Sequence, residues 1–349
     1  MRWITRLRPS LAEHERGAAA VTVALLMVVL VGFAALAVDA GRLVSSKSQL
    51  QNGADASALA IAQYCSKNAW PCTPPPALAP GLTKDNSLDQ SAVVQSITYP
   101  TKGQVSVTTS TPAGGLKLVL AGAIGQPSAQ VTATATAAWG PPGGGKSFPL
   151  ALSMQCWDLT PTTTAGTIKS FAYKPGQTCT GPSGTAAPGG WGWLSPDGTS
   201  CTTTTTTGDV VIGYTNPGNT MPNSGPTGAC TAVLQSWVDT LTAGQELDVV
   251  LPVFSATSGT GSNVQYTIAG YATLRVYGWQ LDGGSGKSPG AFRNTASALT
   301  AQGLSASLAC SGGNDRCIIG QFIRYTIADP NFSGGGGADL GSNIIALIN

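Results

Sequence analysis

Histidine is almost missing from this chain, and the single one, His14, falls within the first sixteen residues. Without a second imidazole, neither a Ser-His-Asp nor a Cys-His arrangement can be assembled from the residues that follow. Charge is also scarce, since Lys, Arg, Asp and Glu make up 10% of the 349 residues, against roughly 25% in soluble domains. From Ala40 onward the two signs nearly cancel and no basic stripe with interleaved aromatics occurs, so nucleic acid is not expected as a partner. A surface so poor in charge has to be covered by Thr, Ser, Gly, Asn and Gln, as in secreted β-proteins. Hydrophobic residues at 42% exclude wholesale disorder, and 45 glycines with 23 prolines point to many turns and few long helices.

Charge placement says more than the net value of +2. Arg2, Arg6, Arg8 and Arg16 crowd the start of the chain, against Glu13 and Glu15. Directly behind them Ala18 to Val38 (AAAVTVALLMVVLVGFAALAV) contains no charge, Pro, Asn or Gln. As a helix this run rises about 31 Å, the hydrocarbon thickness of a bilayer. A cleaved signal peptide is the rival, with Ala35-Leu36-Ala37 as an A-x-A site, but the run exceeds the usual ~7–15-residue apolar core of such peptides. The preceding arginines place the N-terminus in the cytoplasm and everything after Asp39 outside. Asp39 to Tyr64 has no proline and is rich in helix formers, with Leu43, Leu50, Ala54, Ala58 and Ile61 near one face and Lys47, Gln51 and Asp55 on another. The expectation is one long helix, half in lipid and half in water, ended by Trp70-Pro71 and Pro74-Pro75-Pro76.

Glu15-Arg16-Gly17, the apolar span, Ala37-Val38-Asp39-Ala40-Gly41-Arg42 and then Leu50-Gln51-Asn52-Gly53-Ala54-Asp55-Ala56-Ser57-Ala58-Leu59-Ala60 stand in a fixed order. This N-terminal stretch resembles TadE/TadG-like Flp pilus-assembly proteins. The motif residues carried over are Arg16, Gly17, Asp39, Gly41, Arg42, Leu50, Gln51, Ala54 and Asp55. The resemblance implies a membrane-anchored, non-enzymatic accessory or minor-pilin-like component of tight-adherence pilus assembly or secretion, with pilus-assembly or other envelope proteins as partners. More loosely, the remainder is similar to longer members of that group, through segments such as Gly189 to Leu194 and Cys310 to Gly320. Two departures stand out. A prepilin-type cut after Gly17 would put Thr22 where a Glu is usual, and the D-x-S-x-S metal string of a von Willebrand A domain is absent, Asp55-Ala56-Ser57-Ala58-Leu59 being the nearest. The alternative reading is an envelope-anchored binding module for a surface glycan or protein.

Eight cysteines lie beyond the span: Cys65, Cys72, Cys156, Cys179, Cys201, Cys230, Cys310 and Cys317. An even number on the oxidising side of a membrane reads as disulfides, of which eight cysteines allow 105 pairings. Neighbour pairing (65–72, 156–179, 201–230, 310–317) is the simplest arrangement. No close C-x-x-C pair suggests zinc.

Strand signals dominate the rest. Ala92 to Tyr99 and Gln104 to Thr109 flank a turn and read as a hairpin, and Val131 to Trp139 alternates Thr with Ala to leave one small-residue face. Gly208 to Tyr214, Glu246 to Phe254, Gln265 to Trp279 and Ile318 to Ile327 continue the pattern, and the run CTTTTTT from Cys201 to Thr207 is either an edge strand or a loop. The fold class expected is α+β: a long transmembrane, pilin-like helix followed by a mainly β, disulfide-bonded extracytoplasmic region of sandwich or barrel type. Its parts are a basic leader (1–17), the span (18–38), a helical extension (39–66), a small β-region (67–140), a Pro/Gly linker (141–147) and a β-rich domain (148–349).

Several chemical signals are weaker than their packing alternatives. Gly140 to Ser147 fits G-x-x-x-x-G-K-S, but Pro149 follows at once where a phosphate-binding loop needs a helix. Glu246 and Asp248 share a strand face as a carboxylate pair, or simply face water while Leu247, Val249 and Leu251 face the core. Asp282 to Gly286 and Gly312 to Asp315 lack the spacing of a calcium loop. Trp191, Trp193 and Trp279 are expected as core rather than as a glycan platform. No catalytic residue, metal or cofactor is expected.

Overall fold

One helix carries the chain from its apolar run into the folded part. The computed structural model describes residues 12–348 apart from 69, 124, 158, 160–166, 174–177, 181–185, 189, 215–220, 260–262, 282–287 and 311–315. Helix α1 (Ala12–Lys67) spans 56 residues. It is followed by α2 (Leu78–Asp85), β1 (Val93–Thr98), β2 (Gln104–Ser110), β3 (Leu116–Lys117), α3 (Leu120–Ala123), β4 (Ser128–Ala129) and β5 (Thr132–Gly140). Next come β6 (Pro142–Ser147), β7 (Leu150–Ser153), β8 (Lys169–Tyr173), β9 (Thr178–Thr180), β10 (Ala186–Pro188), β11 (Trp191–Trp193), β12 (Thr203–Thr206) and β13 (Val210–Ile212). The last part holds α4 (Ala229–Thr242), β14 (Asp248–Ser258), β15 (Gln265–Gln280), β16 (Ala291–Phe292), α5 (Ala296–Thr300), β17 (Arg316–Ile323), β18 (Tyr325–Ile327), β19 (Ser333–Gly334) and β20 (Ser342–Ile348).

The two halves of α1 have opposite surroundings. From Val21 to Val38 the large apolar side chains are exposed, Val28 by 72%, and nothing else in the described chain covers the most apolar window. From Leu50 onward the apolar stripe at helical spacing is buried: Leu50, Ala54, Ala58, Ile61, Ala62 and Cys65. Its partner is the small-residue face of β5, where Ala133, Ala135 and Ala137 recur every second position, together with Val105 and Val107 of β2. Side chains this short let helix and sheet backbones come close, so methyl groups pack against methyl groups along the whole contact.

That sheet runs β1-β2-β5-β20-β18, so a strand some two hundred residues downstream lies against β5. A larger sheet, β11-β7-β14-β15-β17-β8, is mixed, with β7 parallel to β14 and with β13 and β16 pairing to β15. One face of it packs under α4 through Cys230, Leu234, Trp237 and Leu241, onto Leu251, Leu274, Val276 and Trp279. Trp191, Trp193 and Trp279 are fully buried, linked through Phe148 and Trp237 by three edge-to-face contacts at 5.5–5.8 Å and one tilted contact, Phe148–Trp237, at 4.8 Å. On the opposite face, Tyr271 of β15 meets the three-stranded sheet β12-β6-β19 through Thr205 and Phe332.

One expectation is corrected here. Residues 141–147 are not a linker: Pro142–Ser147 is strand β6, paired with β12 and β19 and largely buried. Its glycines are required by space. A Cβ on Gly143 would lie 2.3 Å from the Gly335 carbonyl oxygen, and one on Gly145 2.1 Å from the Phe332 ring. Glycine composition reads as flexibility only when nothing fills the room beside the backbone, and here neighbours fill it. The chain therefore passes from β5 through β6 to β7 without a flexible joint. The threonine run resolves as strand β12, on the edge of the small sheet.

Three disulfides are seen, Cys65–Cys72, Cys201–Cys230 and Cys310–Cys317. Cys156 is also disulfide-bonded, and nothing is described of the side chain of Cys179, the partner expected for it, whose backbone lies in β9. The first disulfide fastens the end of α1, the second ties the entry of β12 to the start of α4, and the third anchors β17.

Candidate functional site: the membrane-exit segment of the long helix

The motif residues gather where α1 leaves its apolar half. Asp39 is the first carboxylate after the span, and its side chain is buried. Its Oδ1 accepts the Val119 amide at 2.7 Å, and Oδ2 accepts those of Leu120 and Ala121 at 2.7 and 3.1 Å. These amides open α3, a single turn whose N–H groups have no intrahelical partner. The Val119 amide, supported by those of Ala121 and Leu120 and by Arg42, holds the Asp39 carboxyl below its ordinary pKa, against an opposing push from burial.

Gly41 has open space beside it, and Arg42 is exposed. Leu50 is buried against Ala92 and Ala133, and its carbonyl accepts the Thr109 hydroxyl at 2.8 Å. Gln51 donates to Asp55 Oδ1 at 2.8 Å and to the Thr134 carbonyl of β5 at 3.3 Å. Ala54 is fully buried. Arg16 and Gly17 belong to α1, with their side chains outside the described residues, as is most of the basic leader. A Cβ on Gly53, within this motif, would lie 3.3 Å from the Thr83 Cα, so the glycine admits α2. Ser57, next in the string nearest to a metal motif, is buried and bonds the Ala79 carbonyl at 3.1 Å instead.

A cavity of about 520 Å³ opens beside this segment, lined by Gly41, Arg42 and Gln49 of α1, by Leu88 and Asp89 after α2, and by Leu116 and Lys117 of β3. Neither the Asp39 contacts nor the cavity was foreseen from the sequence. The only available signal was the short apolar patch LVLAGA at 118–123.

The other chemical candidates are used up by structure. Glu246 and Asp248 both serve Arg275, the Asp248 pair being two-pronged at 2.8 and 2.9 Å and the Glu246 contact 2.6 Å. Asp248 and Arg275 are cross-strand partners, so both acids are engaged in one ion-pair cluster around Arg275. The P-loop-like string lies in strand β6 with no helix after it. The two candidate calcium loops lie outside the described residues, and no cluster of metal-ligating side chains occurs among the described ones.

No curated protein and no solved structure is significantly similar to the chain. Residues 17–63, from the motif glycine through the span and along most of the docked half of α1, match the family described as putative Flp pilus-assembly TadE/G-like, and the similarity is confined to that helical segment.

Proposed function

We propose that the chain is a membrane-anchored, non-enzymatic accessory or minor-pilin-like component of tight-adherence pilus assembly or secretion, with its β-rich part displayed outside the cytoplasm. The observation carrying this reading is the division of α1. Its family-matched length is continuous, yet one half is docked into a sheet and the other is left bare over a membrane-spanning length. The bare half presents Ala19, Ala20, Gly32, Ala34 and Ala35, small residues that let neighbouring helices approach in lipid. The arginines ahead of the span favour an inside N-terminus, and the disulfides suit an oxidising compartment. Crosslinking through a photoreactive residue at Val28 in the native membrane tests this. The reading expects capture of pilus-assembly partners, and capture of none, with the protein recovered monomeric, would sink it. A reporter that works only outside the cytoplasm, fused after Asn349, should be active.

A second reading, a binding module for a surface glycan, draws on one cluster. Trp70 is 41% exposed and lies 5.6 Å from Tyr99 and 6.1 Å from Trp139, ring centre to ring centre. Trp70→Ala abolishing binding of the whole protein to a glycan array would favour this reading over the first.

A further inference from the structure

We propose that the loop Leu116–Ala123, held by Asp39, is a second membrane contact, lying in the headgroup layer of the outer leaflet and binding anionic phospholipid through Lys117 and Arg42. It rests on the membrane-anchor reading above.

The height of the loop follows from covalent geometry. The apolar run ends at Val38, and a helix rises about 1.5 Å per residue, so Asp39 sits at the edge of the hydrocarbon and Arg42 roughly 6 Å above Val38. The headgroup layer is itself about 5–7 Å thick on each side. Because Val119, Leu120 and Ala121 donate their amides to the Asp39 carboxylate at 2.7–3.1 Å, the loop is fixed within that layer wherever the helix goes.

The side chains suit the layer. Val119 is 57% exposed although its own amide is tied down. Leu116, Leu118 and Leu120 are half-buried beside it, and Lys117 points outward. Apolar tips flanked by a cation are the pattern of an interfacial segment, with stem in the acyl boundary and charge among the phosphates. Arg42 and Lys117 line the same cavity, and the nearest acid on the helix, Asp39, is buried with its oxygens on the loop amides. Asp89, at the other side of that cavity, accepts the Ser91 amide at 3.1 Å and follows Leu88, whose amide is held by Gln49, roughly 10 Å further along the helix than Arg42. Both carboxylates stay ionised, so the contrast is one of placement: at headgroup height Arg42 and Lys117 are exposed while Asp39 is turned inward onto the loop amides, and each exposed cation near an anionic surface favours binding.

The test uses the full chain in lipid nanodiscs with single nitroxide labels at Val119→Cys, Leu30→Cys and Val210→Cys, specific because no free cysteine competes among the described residues. Relative accessibility to oxygen and to a water-soluble nickel complex reads depth. The expected result is a deep label at 30, an aqueous one at 210, and an intermediate one at 119 that moves toward the aqueous value when Asp39→Asn is added. The label at 119 should sit deeper in phosphatidylglycerol-containing bilayers than in phosphatidylcholine alone, and Lys117→Glu should remove the difference. A label at 119 as aqueous as the one at 210, with 30 still deep, overturns this proposal and leaves the anchor intact. Equal depth at 119 in both lipids overturns the anionic-lipid assignment. An aqueous label at 30 overturns the anchor itself.

Discussion

Asp39 accepts three backbone amides from a loop about eighty residues further along, and the sequence marked it only as a motif residue at the membrane exit. Nothing local to position 39 encodes which amides it will meet, so the motif was legible and its use was not. Because the amides stabilise the ionised form, its folded pKa lies below the ordinary 3.8. The clamp therefore contributes in full above 3.8 and is lost as the pH falls below that, through the depressed value. Hydrogen exchange should show protected amides at 119–121 at neutral pH, with protection falling in that acid window. Asp39→Asn should lower it already at neutral pH, and unchanged protection in the variant would refute the clamp. Gly145 makes the complementary point. It belongs to a string that resembles a phosphate loop, yet a Cβ there meets the Phe332 ring at 2.1 Å. Gly145→Ala should destabilise by about 1–3 kcal/mol in denaturant unfolding, and magnesium with ATP should leave Tm of the parent unchanged. A rise in Tm with nucleotide would restore the phosphate reading.

At the scale of elements, α1 shows how one propensity can serve two solvents. Its apolar residues surround the helix as far as Val38 and narrow to a stripe afterwards, a change visible in the sequence because periodicity is local. The hairpin β1–β2 and the alternating strand β5 were legible for the same reason. Helix α4 was missed although Cys230, Leu234, Trp237 and Leu241 recur at helical spacing, because Thr, Val and Trp in the same stretch favour strands. Helix α2 was hidden by Pro80 and Gly81 within eight residues. Two glycines of α1 give a contrast that composition alone cannot. Gly41 has nothing within 4 Å, whereas a Cβ on Gly53 would lie 3.3 Å from Thr83 Cα. Gly41→Ala should stabilise by about 0.5–1 kcal/mol, the ordinary helix gain. Gly53→Ala should forfeit that gain by pushing α2 away. Thermal unfolding in detergent separates the two, and equal shifts would show that α2 does not press on α1 at Gly53.

For the molecule as a whole, the pairing of β20 between β5 and β18 joins the ends of the described chain. Asn343 donates to the Ser66 carbonyl at 3.0 Å, and the Ser66 hydroxyl lies 2.6 Å from that of Thr326, so the end of α1 is buttressed by the same late segment. A division of the region after α1 at residues 141–147 was the natural inference from Pro and Gly, but the chain there is strand β6; pairing between distant strands leaves no mark in either sequence alone. Deleting 342–348 should lower Tm by about 10 °C or more, each kcal/mol being worth roughly 2–4 °C at this size. It should also expose α1 to protease near Ser66. A deletion that melts unchanged would show that β1-β2-β5 and α1 form a self-sufficient unit.

The position of β20 also sets a clock. In a chain that emerges N-terminus first, β5 is present long before the strand that pairs with its free edge. At roughly 5–20 residues per second, the intervening two hundred residues take some 10–40 s to appear. For that interval the alanine row of β5 and the docked face of α1 have to hold one another with one sheet edge unpaired. Any companion subunit offering an extended segment has a window in which to take β20's place.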